Sequence, residues 1–176
     1  MATAKTAYAG VSAITITGTS LGDMAAREST LVVNTSNLYL DAILSGFIYT
    51  GAAVPTGNCF ILLGSSDATT PADPLTGSDA AITLPRIAWC SFGVLNFGDP
   101  VPGTGLVFAY KIQTMGRAAA TKIGFENISV SQAFQMGGLS LPPQWGVVLC
   151  NAQGQAFDST AGHTVINYNG VTQTIA

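Results

Sequence analysis

Asp158, Ser159 and His163 are the residues whose types come closest to a reactive set: a serine nucleophile, a histidine base and an aspartate to orient the base. His163 is the chain's single histidine, so any such triad must use it. Triad members converge from separate elements, with the serine beside donors for an oxyanion. Here all three share one short stretch, and the simpler reading is a loop leading into a last hairpin. Asp67, Asp73 and Asp79 share another loop, but their spacing does not match the alternating ligands of a calcium loop, and solvated carboxylates are the default. No phosphate-cradling Gly-x-x-x-x-Gly-Lys stretch exists. Cys59, Cys90 and Cys150 are far apart and odd in number, which suits neither a disulfide framework nor a zinc site and predicts buried free thiols. Asn34 to Ser36 and Asn127 to Ser129 match the glycosylation sequon, which without an export signal is expected to be chance. Trp89 and Trp145 lie in apolar runs and are expected in the core, although exposed tyrosine or tryptophan rings could in principle stack on sugar. The chemistry expected is therefore that of a non-enzyme, with no catalytic residue, cofactor or metal.

The elements that would position these residues are strands. Trp145, Val147 and Leu149 alternate with Gly146, Val148 and Cys150, apolar on both faces and preceded by Pro142 and Pro143. Such a run predicts a central strand buried on two sides. Val11 to Thr17 alternates as a half-exposed strand; Met1 to Ala9 is small and polar and reads as an arm. Gly18 to Glu28 reads as a loop with one helical turn near Met24 to Ala26, and Thr30 to Val33 as a short strand. Leu38 to Thr50 is the longest candidate. Leu38, Leu40, Ala42, Leu44 and Ile48 would face the core, and Tyr39, Asp41, Ile43, Ser45, Phe47 and Tyr49 the other side. Aromatic and polar groups mixed on one face suggest contact with another surface, either a second molecule or a layer of the same chain.

Further strands are expected at Cys59 to Leu63, Ala80 to Leu84, Arg86 to Phe97, Leu106 to Ile112 and Ile123 to Val130, with a helical turn at Ser131 to Met136. The loop from Gly64 to Asp79 is longer than ordinary connections. Thr164 to Tyr168 and Val171 to Ile175 read as a hairpin turned by Asn169 and Gly170. No stretch makes an amphipathic helix of three turns. The fold class that follows is all-β: an antiparallel β-sandwich, jelly-roll-like, with long loops, an N-terminal arm at 1–10 and a single domain at 11–176.

Charged residues are 9% of the chain against roughly 25% in an ordinary domain, and mean hydropathy is +0.41. No apolar run approaches the ~20 residues of a spanning helix, and Met1 to Thr6 lacks the basic start and apolar core of an export signal. Neither a membrane partner nor, at a net charge of −3 with scattered Lys and Arg, a nucleic-acid partner is expected. A subunit whose surface is covered in an assembly fits best.

Several phrases then occur in a familiar order: Asn34 to Asn37, Tyr39 with Asp41 and Ala42, Thr50 to Ala52, Thr76 to Leu84, Ser131 to Phe134, Gly137 to Pro142, Trp145 to Val148 and Tyr168 to Val171. In that order they resemble a family of small structural proteins encoded in the virion gene clusters of tailed bacteriophages. The resemblance covers most of the chain from about Thr30; where such relatives often carry an acidic residue in the Trp-Gly strand, this chain has Cys150. It implies a place on the particle and no catalytic residues. The expected function is a capsid cement or decoration protein on the capsid exterior, made in the host cytoplasm. Its partners would be the major capsid protein and copies of itself, as a dimer or trimer. The alternative is a tail- or fibre-associated module that binds host-surface carbohydrate. Tyr39, Phe47, Tyr49, Asp67 and Asp73 are the candidate assembly contacts.

Overall fold

A computed structural model describes residues 4–35, 37–66, 74–138 and 141–175. In chain order the elements are β1 (Ala4–Ile14), β2 (Ala25–Glu28), β3 (Val32–Val33), β4 (Asp41–Tyr49), β5 (Asn58–Ser65), β6 (Ala81–Ile82), α1 (Arg86–Ser91), β7 (Val107–Ile112), β8 (Lys122–Ser129), α2 (Val130–Met136), β9 (Gln144–Ala152) and β10 (Thr164–Ile175). The chain is all-β, with two antiparallel sheets. One has four strands in the order β1-β10-β4-β8; the other has six, running β6-β2-β9-β5-β7, with β3 also on β9.

A strand apolar on both faces must be covered on both and paired along both edges. β9 meets each demand. β5 pairs along one edge, while β2 and β3 share the other. Trp145, Val147 and Leu149 join Ile61 and Leu63 in the core between the sheets, facing Leu44, Ile48 and Ile166. Val148 and Cys150 join Phe60, Leu62 and Phe108 in a second core on the far face. That second core is roofed by the segment from Leu75 to Leu106, including Leu84, Ala88 and Phe92.

Arg86–Ser91 is helical, which corrects the strand expected at Arg86 to Phe97. Pro85 precedes it with its fixed φ of −65°, and Ala88 and Phe92, four residues apart, are the buried positions. The same run leaves Ile87, Cys90 and Val94 exposed, so Cys90 is not a buried thiol, whereas Cys59 and Cys150 are. The helical turn expected near Met24 is instead the start of β2. Met24 has φ +53°, and Ala25 begins pairing with β9.

The expected terminal hairpin is also corrected. β10 runs unbroken through Asn169 and Gly170, paired with β4 on one side and β1 on the other. Gly170 serves close approach rather than a turn, because a Cβ there would lie 2.3 Å from the Tyr39 ring. Gly46 is required in the same way, with Val165 O 2.1 Å from a Cβ built on it. From Ala4 onward the expected arm is a strand, since Ala4 to Tyr8 pair with Ile175 to Val171. β4 stops at Asp41, opposite Val171, so this last part of β1 and β10 is a two-stranded ribbon continuing past the sheet.

Candidate functional site

The two sheets differ in what remains open. Among the described residues, sheet β1-β10-β4-β8 has one face on the core and no covering layer on the other. On β4, Ala42, Leu44 and Ile48 are buried, while Ile43, Ser45, Phe47 and Tyr49 are half-buried on the outer side. This is the alternation expected from the sequence, except at its start. Leu38 and Leu40 precede the strand and are 75% and 59% exposed. Leu38 has φ +50°, a turn that reverses the register ahead of Asp41.

Tyr39 therefore lies on the core side, edge-on to Tyr168 with ring centroids 6.3 Å apart. Its backbone N–H donates to Asn34 Oδ1 at 2.7 Å, and Asn34 Nδ2 donates back to Tyr39 O, so both polar atoms of that buried sequon asparagine are engaged. Phe47 and Tyr49 do lie together on the outer face, rings edge to face at 6.1 Å. Lys122 Nζ sits 3.9 Å above the Phe47 ring, and His163 stacks on Tyr49 at 3.9 Å. Asp67 and Asp73 lie outside the described residues. The sequence candidates thus divide: Phe47 and Tyr49 share a surface, and Tyr39 does not belong to it.

Two shallow depressions adjoin on this outer face. One, of about 370 Å³, is lined by one residue from each strand: Tyr8, Asn169, Ile43 and Asn127. The next, of about 650 Å³, is lined by Ser45, Phe47, Glu126 and Asn167, with Tyr110 of β7. Asn169 pairs with Ile43 and Asn167 with Ser45, which sets the two rows side by side. The sequence reading missed Asn167 and Asn169 because Asn-Gly suggested a turn; their alternation with Ile166 and Tyr168 was the signal for an outward face.

The edges of this sheet also differ. β8 carries Lys122 and Glu126 and has an extra residue opposite Ser45, with Asn127 at φ +60°. Charge and a bulge are the usual protections of a sheet edge. β1 has a bulge at Ala9 and Gly10 but only one charged residue, Lys5, along its length. Tyr8 and Val11, on its outer face, are 68% and 69% exposed.

Elsewhere the polar groups hold structure together. Glu28 accepts hydrogen bonds from Thr76 and Ser78, through both backbone N–H and hydroxyl of each. Burial pushes its carboxyl up, but these donors outweigh it and its pKa lies below the ordinary value. Asp79 is held by Thr17 and by Arg27 Nε at 2.8 Å; burial raises its pKa, and those partners bring it below the usual range. Together they fasten the roof segment to β2. Asp41 accepts from Ser129 Oγ at 2.6 Å and Ser131 N at 2.8 Å, tying the start of α2 to β4.

His163 Nδ1 is 2.8 Å from Asp158 Oδ1. No Gly-x-Ser-x-Gly elbow is expected from the sequence, yet Gly18 to Gly22 has that spacing, and Ser20 has φ +55° with its N–H on Asp158 O. That loop joins two strands rather than a strand and a helix, and no hydrogen bond links its hydroxyl to His163. The arrangement is an oriented imidazole without a nucleophile on it. Burial pushes the Cys59 thiol up to about 12 and Cys150 well above its ordinary value, so neither supplies a thiolate near neutral pH. Among the described residues no cluster of three His, Cys, Asp or Glu could hold a metal ion, and no helix is long and apolar enough to cross a membrane.

No family model, curated protein or solved structure matches this chain.

Proposed function

We propose that the chain is a structural virion protein, a capsid cement or decoration protein that self-associates and stabilises the major capsid shell. The observation that carries this reading is the long, nearly uncharged free edge of β1, continuing into a ribbon beyond the sheet. A two-stranded ribbon is marginal alone in water and gains from a further strand. An edge with so little charge can supply one by pairing with another chain. A two-fold antiparallel register centred on Ala9 sets Lys5 opposite Ala13 of the second copy, so like charges do not meet.

The topology supports the same reading. Setting aside the two-residue β3 and β6, the first strand pairs with the last, β2 with β9, β4 with β8 and β5 with β7. Nested antiparallel pairs shared between two sheets are the pairing pattern of a jelly roll, an architecture used by viral capsid domains, and they support that reading of the fold. The scarcity of charge fits a surface covered in an assembly. A protein that binds the assembled shell and not its dissociated subunits stabilises the shell by linkage, without any chemistry.

Quantitative mass spectrometry of purified particles tests the assignment. A copy number in fixed ratio to the major capsid protein is expected. A number matching one tail or one set of fibres would overturn it in favour of the tail.

A further inference from the structure

We propose that the outer face of the four-stranded sheet binds a neutral oligosaccharide. The inference rests on this face alone and stands whether the chain sits on a head or a tail.

Three features of the face point to that ligand. First, its polar side chains are uncommitted. Asn127, Asn167 and Ser45 make no side-chain hydrogen bond among the described residues. Asn169 uses Nδ2 on Ala9 O at 3.2 Å and leaves its Oδ1 acceptor unused. An amide offers donors and acceptors together, and so does a sugar hydroxyl, so each can serve the other in both directions. Second, the groups are regularly spaced on a rigid platform. Asn167 and Asn169 are two residues apart on β10, roughly 7 Å, and Ser45 and Asn127 continue the rows across neighbouring strands at about 4.8 Å each. Third, aromatic rings bound the polar strip. Tyr8, well exposed, stands at one depression and offers an apolar face for a sugar ring, while Phe47, under Lys122, walls the other.

Charge decides between ligand classes. Among the described residues no cation lines the two depressions: Lys122 is set over the Phe47 ring and Lys111 lines the adjoining hollow beside Glu126, whose carboxylate opposes an anionic ligand. Phosphate, nucleic acid and acidic glycans are therefore disfavoured. An apolar protein face would bury three amides and a hydroxyl without partners, which disfavours a second copy docked here.

The test is NMR of the ¹⁵N-labelled protein titrated with cello-, malto-, xylo- and mannohexaose, backed by an array of neutral and anionic glycans. At least one neutral glycan should shift the side-chain amide signals of Asn127, Asn167 and Asn169. Its affinity should fall at least about tenfold in Asn167→Ala and in Tyr8→Ala, each with an otherwise native spectrum. Val94→Ala, on the roof of the other sheet and 78% exposed, should bind unchanged. The proposal is overturned if no neutral glycan binds, if only anionic glycans bind, or if the shifts map elsewhere. It is equally overturned if these amides become protected when the protein self-associates, which would make a second copy the occupant.

Discussion

The two sheets share one core and are finished in different ways. The sheet around β9 is clad on both faces, its outer side roofed by the segment from Leu75 to Leu106. Its roof is fastened by Glu28 and Asp79, both held below the ordinary carboxylate range by their hydrogen-bond partners against the opposing effect of burial. Among the described residues, the sheet around β10 has a core on one face only, an edge strand β1 paired on one side, and the side chains of Ser45, Asn127 and Asn167 without hydrogen-bond partners. Buried polar groups in a folded domain are almost always satisfied. Where this chain needs internal order it satisfies nearly all of them, Trp145 Nε1 and Gln153 Oε1 being the exceptions among the described residues, and where it leaves amides, rings and an edge unused it presents a surface. The clad sheet is the frame, and under the proposed function the bare sheet is the surface that would meet other molecules.

Substitutions should divide along that line. Trp145→Ala removes the largest fully buried side chain from the shared core and should cost about 3–5 kcal/mol in chemical denaturation. A cost near that of a surface change would mean that β9 is not the frame. Glu28→Ala leaves the Thr76 and Ser78 donors without their acceptor and should cost about 2–3 kcal/mol. It should also raise exchange of backbone amides in the roof before the bare sheet is affected.

Acid should act on the same fastening. The folded carboxyls of Glu28 and Asp79 titrate below their unfolded values, so their contribution is fully present above the unfolded carboxylate range of about 4. It is lost as pH falls through the lowered folded values. Denaturation midpoints measured against pH should therefore fall in that acidic window, and by less in Glu28→Ala.

The frame was legible in the sequence because β9 and β5 are apolar on both faces and admit little else. Local signals misled where tertiary contacts overrode them. Asn169 and Gly170 look like a turn, but two flanking strands hold β10 straight and the Tyr39 ring needs the missing Cβ. Arg86 to Phe97 reads as a two-faced strand because it is apolar throughout; only the four-residue spacing of Ala88 and Phe92 distinguishes a helix. For the surface, Phe47 and Tyr49 were found by alternation. Tyr39 was misplaced because the backbone turns at Leu38, and a positive φ at leucine leaves no trace in composition.

Val11→Lys gives the smallest expected change in stability, within about 0.5 kcal/mol, because Val11 is exposed. A charge there should nevertheless block strand pairing along β1. The most direct test is hydrogen exchange across a concentration series, with sedimentation reporting the oligomer. Association should slow exchange in β1 and its ribbon, leave the roof unchanged, and be lost in Val11→Lys. Protection gained at the roof instead, or association undiminished in Val11→Lys, would contradict the account.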